Sequence, residues 1–212
     1  MRLLPDDVLL AVDVQRDFLP GGGALAVPDG DAVVPVVNRL AKLFGHVLLT
    51  QDWHPADHVS FAANHPGRAA FETVELPYGS QVLWPTHCVQ GTDGAGFAPG
   101  LDVPQAELVI RKGFRPAVDS YSAFTEADRR TPTGLAGYLR ERGLRRLFLA
   151  GLATDFCVAW SALDGRAAGF EVHVVEDACR GIDAQGSLDR AWRMMEQAGV
   201  RRIGHGEVQA AG

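Results

Sequence analysis

The chain has 212 residues, 47% of them hydrophobic, and a formal net charge of −6. That length and apolar content suit one domain over residues 1–212 with a substantial core. No apolar run is long enough for a membrane span, scattered Lys and Arg argue against a nucleic-acid partner, and the odd, widely spaced Cys88, Cys157 and Cys179 argue against a disulfide framework.

The first residues, Met1-Arg2-Leu3-Leu4-Pro5-Asp6-Asp7, lack the apolar stretch of a signal peptide, so a reducing, cytoplasmic setting is expected. Val8–Val12 is an apolar run that reads as a buried strand ending at Asp13. Pro20-Gly21-Gly22-Gly23 makes a loop, and no Gly-Lys-Ser/Thr follows to turn it into a phosphate cradle. The spacing of Val33, Val36, Val37, Leu40 and Leu43 predicts a helix over 31–44, with Pro35 in its first turns. Val47–Thr50 is a second strand, which runs into Gln51-Asp52-Trp53-His54-Pro55. From His54 to Pro104 the patterning disappears, and a loop of that length in a compact domain usually carries function.

Glu107–Ile110 reads as a third strand, delivering Arg111-Lys112-Gly113. A helix over 133–142 follows, with Thr131 or Thr133 as N-cap and Gly143 as a C-terminal stop. Leu147–Ala150 is another buried strand. After the turn Gly151-Leu152-Ala153-Thr154-Asp155-Phe156 comes a helical pattern over 157–168, which sets Cys157 on its first turn. A strand over 170–175, a helix over 184–198 and a short strand over 200–203 complete the chain. Alternating strands and helices imply right-handed crossovers and an α/β fold: three α-β-α layers, a mostly parallel central sheet and one long functional loop.

In such folds ligands bind beyond the carboxyl ends of the strands. Asp13, Asp52, Lys112 and the Cys157 turn each follow a different strand at that end. Cys157 at a helix start is expected to have a lowered pKa and to act as a nucleophile. Asp13 would accept its proton, and Lys112 would stabilise the thiolate and hold the carboxylate. Asp52 and His54 project to one side of a strand end, and His87 could close a set of one carboxylate and two imidazoles on a divalent metal ion. Zn²⁺ is the expected ion, with Fe²⁺ or Mn²⁺ as alternatives. His58 and His65 lie nearby and read as exposed loop histidines, while Cys88 reads as a buried bystander.

Five stretches, in order, carry a family resemblance: Val12-Asp13-Val14-Gln15-Arg16-Asp17-Phe18, Asp52-Trp53-His54-Pro55, Trp84-Pro85-Thr86-His87-Cys88-Val89-Gln90-Gly91-Thr92, Lys112-Gly113 with Asp119-Ser120-Tyr121-Ser122-Ala123-Phe124, and Gly151 to Val158. Together they resemble the nicotinamidase/pyrazinamidase family of the isochorismatase-like cysteine hydrolases. The resemblance implies hydrolysis of nicotinamide through an Asp13–Lys112–Cys157 triad and a thioester, in NAD salvage. It implies a cis peptide between Leu152 and Ala153, with the Ala153 and Cys157 N–H groups at the oxyanion. It maps metal ligands onto Asp52, His54 and His87, with His58 as a candidate for a further one. The nicotinamide walls fall on Phe18, Trp84 and Tyr121, with Leu152 beside them, and Phe156 reads as neutral. The expected partners are a small-molecule amide and, at most, further copies of the chain. Three rivals are another amidohydrolase of the superfamily, a metal-hydroxide hydrolase in which Cys157 is passive, and a redox sensor using Cys179 as resolving thiol.

Overall fold

A computed structural model describes residues 1–210. Six strands form one parallel sheet: β1 (Asp7–Val12), β2 (His46–Asp52), β5 (Leu108–Lys112), β6 (Arg146–Leu152), β7 (Glu171–Arg180) and β8 (Arg201–Ile203). Their order is β5-β2-β1-β6-β7-β8. The remaining pair, β3 (Thr73–Leu76) and β4 (Gly79–Val82), makes a separate antiparallel hairpin. The helices are α1 (Val33–Ala41), α2 (Leu135–Glu141), α3 (Ala159–Ala167) and α4 (Ser187–Gln197).

Period-two strands facing two helical layers explain why these segments read as continuous apolar runs. Leu9, Ala11, Phe148 and Ala150 pack with α1 residues Val33, Val37 and Leu40. Val8, Leu10, Val12, Leu147 and Leu149 pack on the other face with Leu135 and Leu139 of α2, Ala162 of α3, and Ala191 and Met195 of α4. The expected three-layer α/β architecture is borne out. No helix among the described residues is long and apolar enough to cross a membrane.

The chain leaves β1 toward β2 and β5, and later returns to β6 on the other side of β1. That reversal lies between β1 and β6, whose register pairs Val12 with Gly151. The crevice beyond their carboxyl ends is where such sheets bind ligands.

Several boundaries differ from the sequence reading. The loop over 54–104 contains the β3–β4 hairpin, whose four-residue strands face solvent on one side and so lack a core signature. β7 continues to Arg180, past the polar Glu176-Asp177, with a shift of register against β6 between Leu149 and Gly151. Helix α3 begins at Ala159, because Thr154–Val158 forms a single π-helical turn first. Such turns often sit at functional sites. Cys157 therefore belongs to that turn and not to the first turn of an α-helix.

Candidate active site

Three strand ends bring Asp13, Lys112 and Cys157 together. The Lys112 ammonium, buried, lies 2.7 Å from Asp13 Oδ2 and 3.3 Å from Cys157 Sγ, and donates to the Ser120 carbonyl at 3.1 Å. It also contacts the Asp52 carboxylate, so one ammonium bridges two buried acids. Thr50, one strand over on β2, fixes Asp13. Its hydroxyl donates to Asp13 Oδ1 at 2.6 Å and accepts the Asp13 N–H at 3.0 Å. Asp13 Oδ2 has the Lys112 ammonium beside it and no other donor among the described residues. Sulfur and the Asp13 carboxylate lie within 4.8 Å of each other.

Electrostatics here reverse one expectation. Burial pushes the Cys157 thiol well above its ordinary range; Lys112 pulls it down, while Asp13 and Asp52 push it further up. Burial thus works against the lowered pKa expected from a helix start. Burial, followed by the charge of Asp52, raises the Asp13 carboxyl to about 6 against the pull of Lys112. An acid shifted this way is a better proton acceptor, which suits removal of the thiol proton during attack.

Burial alone would raise Asp52, but Lys112, His54 and His87 together hold it well below the usual carboxylate range. Its Oδ2 lies 3.6 Å from His54 Nε2 and 3.9 Å from His87 Nε2. In both imidazoles Nδ1 sits 2.8 Å from a backbone carbonyl, Gly113 for His54 and Pro85 for His87. A carbonyl can only accept, so each Nδ1 carries a proton, which leaves Nε2 as the nitrogen that could ligate a cation. Two such nitrogens and a carboxylate oxygen within 4.8 Å of one another fit a divalent cation. Glycine at 113 is required for this arrangement: its φ is +62°, and a Cβ there would lie 2.3 Å from His54 Cε1.

His58 is fully buried, not exposed, with its ring 4.2 Å from that of His54. Its Nδ1 meets Ser60 Oγ at 2.7 Å and its Nε2 the Val118 carbonyl at 3.3 Å. With His54 and Asp119, His58 also forms a second group whose ligand atoms lie within 4.8 Å of one another, so it keeps its place as a candidate further ligand. His65 is half-buried and its Nε2 meets the Val59 carbonyl at 2.7 Å. Cys88 is buried, and its N–H donates to Asp17 Oδ2 at 2.7 Å.

A small pocket opens over these groups, lined on one side by Cys157, Ala153, Asp52, His54, His87 and Asp119. Its apolar wall holds Phe18, Trp84 and Tyr121, as expected, and also Leu25, Phe156 and Ile182, which the sequence reading did not assign to it. Phe156 stands edge-on to Trp84 at 4.8 Å and to Tyr121 at 5.6 Å. The Tyr121 hydroxyl accepts from Trp84 Nε1 at 2.9 Å and from Gln81 Nε2 at 3.2 Å, so the hairpin strand β4 braces the aromatic wall. Leu152 is fully buried beside Gly30 and is not among the residues that line this pocket. The residue that faces inward is Ala153, because side chains alternate along a strand end. The Leu152–Ala153 peptide is cis.

Gly151 has φ +123°, and a Cβ built on it would fall 2.1 Å from the Val12 carbonyl oxygen. The ends of β1 and β6 can approach this closely only because residue 151 has no side chain.

Comparison with known proteins agrees with this geometry. Residues 7–207 match the model of the isochorismatase domain family. A nicotinamidase of Acinetobacter baylyi is 56% identical over 203 residues, covering 96% of this chain and 94% of the relative. The crystal structure of PnC1 from L. infantum in complex with nicotinate superposes with a TM-score of 0.85 at 38% identity, covering 96% of this chain and 95% of that one. A pyrazinamidase of Pyrococcus horikoshii in complex with zinc gives 0.78 at 36% identity, covering 94% and 99%.

Proposed function

The chain belongs to the isochorismatase domain family, and from that membership we propose that it is an amidohydrolase converting nicotinamide to nicotinate and ammonia. The observation that carries this reading is the meeting of Cys157 with Lys112 and Asp13 at the floor of the aromatic cavity, beside Asp52, His54 and His87. Asp13 takes the thiol proton as sulfur attacks the carboxamide carbon. The N–H groups of Ala153 and Cys157 hold the developing oxyanion, each worth about 3 kcal/mol by analogy with serine hydrolases. Asp13 then gives its proton to the departing ammonia. Water hydrolyses the thioester, releasing nicotinate and regenerating the thiol.

Asp52, His54 and His87 would hold one divalent cation, and the two-imidazole, one-carboxylate donor set suits Zn²⁺. When bound, it supplies a Lewis-acidic contact for the ring nitrogen of the substrate. Phe18, Trp84, Tyr121 and Phe156 enclose the ring, and pyrazinamide, with a second ring nitrogen, is a further substrate. Three free cysteines fit a reducing compartment, in which the product would return to pyridine-nucleotide synthesis.

One assay tests the reading: ammonia release from nicotinamide, with and without thiol alkylation and a chelator. Loss of turnover on alkylation and loss of nicotinamide affinity on chelation are expected. Full turnover by alkylated enzyme would instead support attack by a metal-held hydroxide, with Cys157 a spectator.

A further inference from the structure

The segment that carries the nucleophile also carries a buried carboxylate that the reaction above does not use. Asp155 lies two residues before Cys157 and is buried. Its Oδ1 accepts the Ile182 N–H at 2.9 Å, and its Oδ2 accepts the Asp183 N–H at 2.9 Å and the Ser187 hydroxyl. Ile182 and Asp183 belong to the connection between β7 and α4, and Ser187 is the first residue of α4. That connection is unusual in its backbone: Asp183 and Gln185, neither of them glycine, both have φ +53°. Left-handed conformations of this kind persist only where the surroundings hold them. Gly181 leaves room for the carboxylate, because a Cβ there would lie 3.2 Å from Asp155 Oδ1.

One residue of this connection reaches the site. Ile182, half-buried, forms part of the cavity wall together with Leu25, Phe156 and Cys157. We infer that Asp155 is a positioning residue: by binding the Ile182 and Asp183 amides and Ser187, it latches the 181–186 loop so that Ile182 roofs the Cys157 cavity. The nucleophile and the roof are thereby anchored on one short turn. Substrate affinity and access to the thiol both depend on that anchor, whereas bond-making at sulfur does not.

The proposal rests on Cys157 as the reacting group, and its test keeps access separate from turnover. Ser187→Ala removes one of the three donors without leaving the buried carboxylate unpaired. Asp155→Asn replaces an acceptor oxygen with a group that cannot accept from an amide. Iodoacetamide labelling of each cysteine, followed by peptide mass spectrometry, reads access whatever the substrate is. We expect Cys157 to label about threefold faster in Ser187→Ala and about tenfold faster in Asp155→Asn, while buried Cys88 keeps its wild-type rate. With nicotinamide, KM rises in the same order and kcat in Ser187→Ala stays within about twofold of wild type; Ser187→Thr restores both readings. Unchanged Cys157 labelling in Ser187→Ala would overturn the latch. So would faster labelling of Cys88 in step with Cys157, which reports general loosening, or a fall in kcat at constant KM. If nicotinamide is not turned over at all, the labelling arm still decides the question.

Discussion

The floor and the wall of the cavity are built in different ways. The floor consists of charged side chains at the ends of β1, β2 and β5, with Cys157 beyond β6, buried and cross-bonded through Lys112 and Thr50. The wall consists of aromatic and aliphatic side chains carried largely on irregular chain: Phe18, Leu25, Trp84, Tyr121 and Ile182. A floor of buried charge tolerates no slack, since an unpaired group there costs far more than a lost contact. A wall of rings is held by packing and a few hydrogen bonds, and it can be trimmed piece by piece. The division implies that floor substitutions act on kcat and wall substitutions act on KM.

The largest expected effect breaks the floor. Asp13→Asn removes the proposed base while keeping nearly the same shape, and should lower kcat by about 10³-fold with little change in KM. Steady-state kinetics check this, and an equal rise in KM would erase the distinction between floor and wall.

The next effect comes from pH. As the proposed base, Asp13 would work only as the carboxylate, and burial with the nearby Asp52 raises its carboxyl to about 6. The ionised fraction therefore falls as pH drops through that value, so kcat/KM should fall roughly tenfold per unit below it and level off above. A profile flat from pH 4.5 to 7 would assign the proton to another group.

The smallest effect sharpens the wall. Tyr121→Phe deletes the acceptor shared by Trp84 and Gln81. With a net value of about 1 kcal/mol for such a bond, KM should rise about fivefold while kcat holds.

The same division explains what could be read from the sequence. Strand ends announce themselves, because an apolar run that stops at Asp13, Asp52 or Lys112 marks both an element and its mouth. Family resemblance added Phe18, Trp84 and Tyr121, whose positions in loops have no periodicity to betray them. Thr50 escaped notice because a threonine closing a strand looks like any β-branched strand residue; its bonds to Asp13 exist only across the β1–β2 pairing. The β3–β4 hairpin escaped for the opposite reason, being too short and too polar to show alternation, although it places Gln81 against the Tyr121 hydroxyl. Leu152 turns into the core and Ala153 into the pocket, because one residue's step along a strand end exchanges one side for the other. The thiol's proton affinity could not be read at all, since it depends on how deeply sulfur is buried beside two acids.

Gly151 has a consequence beyond its own strand. Asp13 and Cys157 follow the ends of the neighbouring strands β1 and β6, whose separation is fixed where residue 151 meets the Val12 carbonyl. A single added methyl would wedge those strands apart. Drift at that codon is therefore closed by the need to keep an empty space, with no side chain there to be selected for what it does.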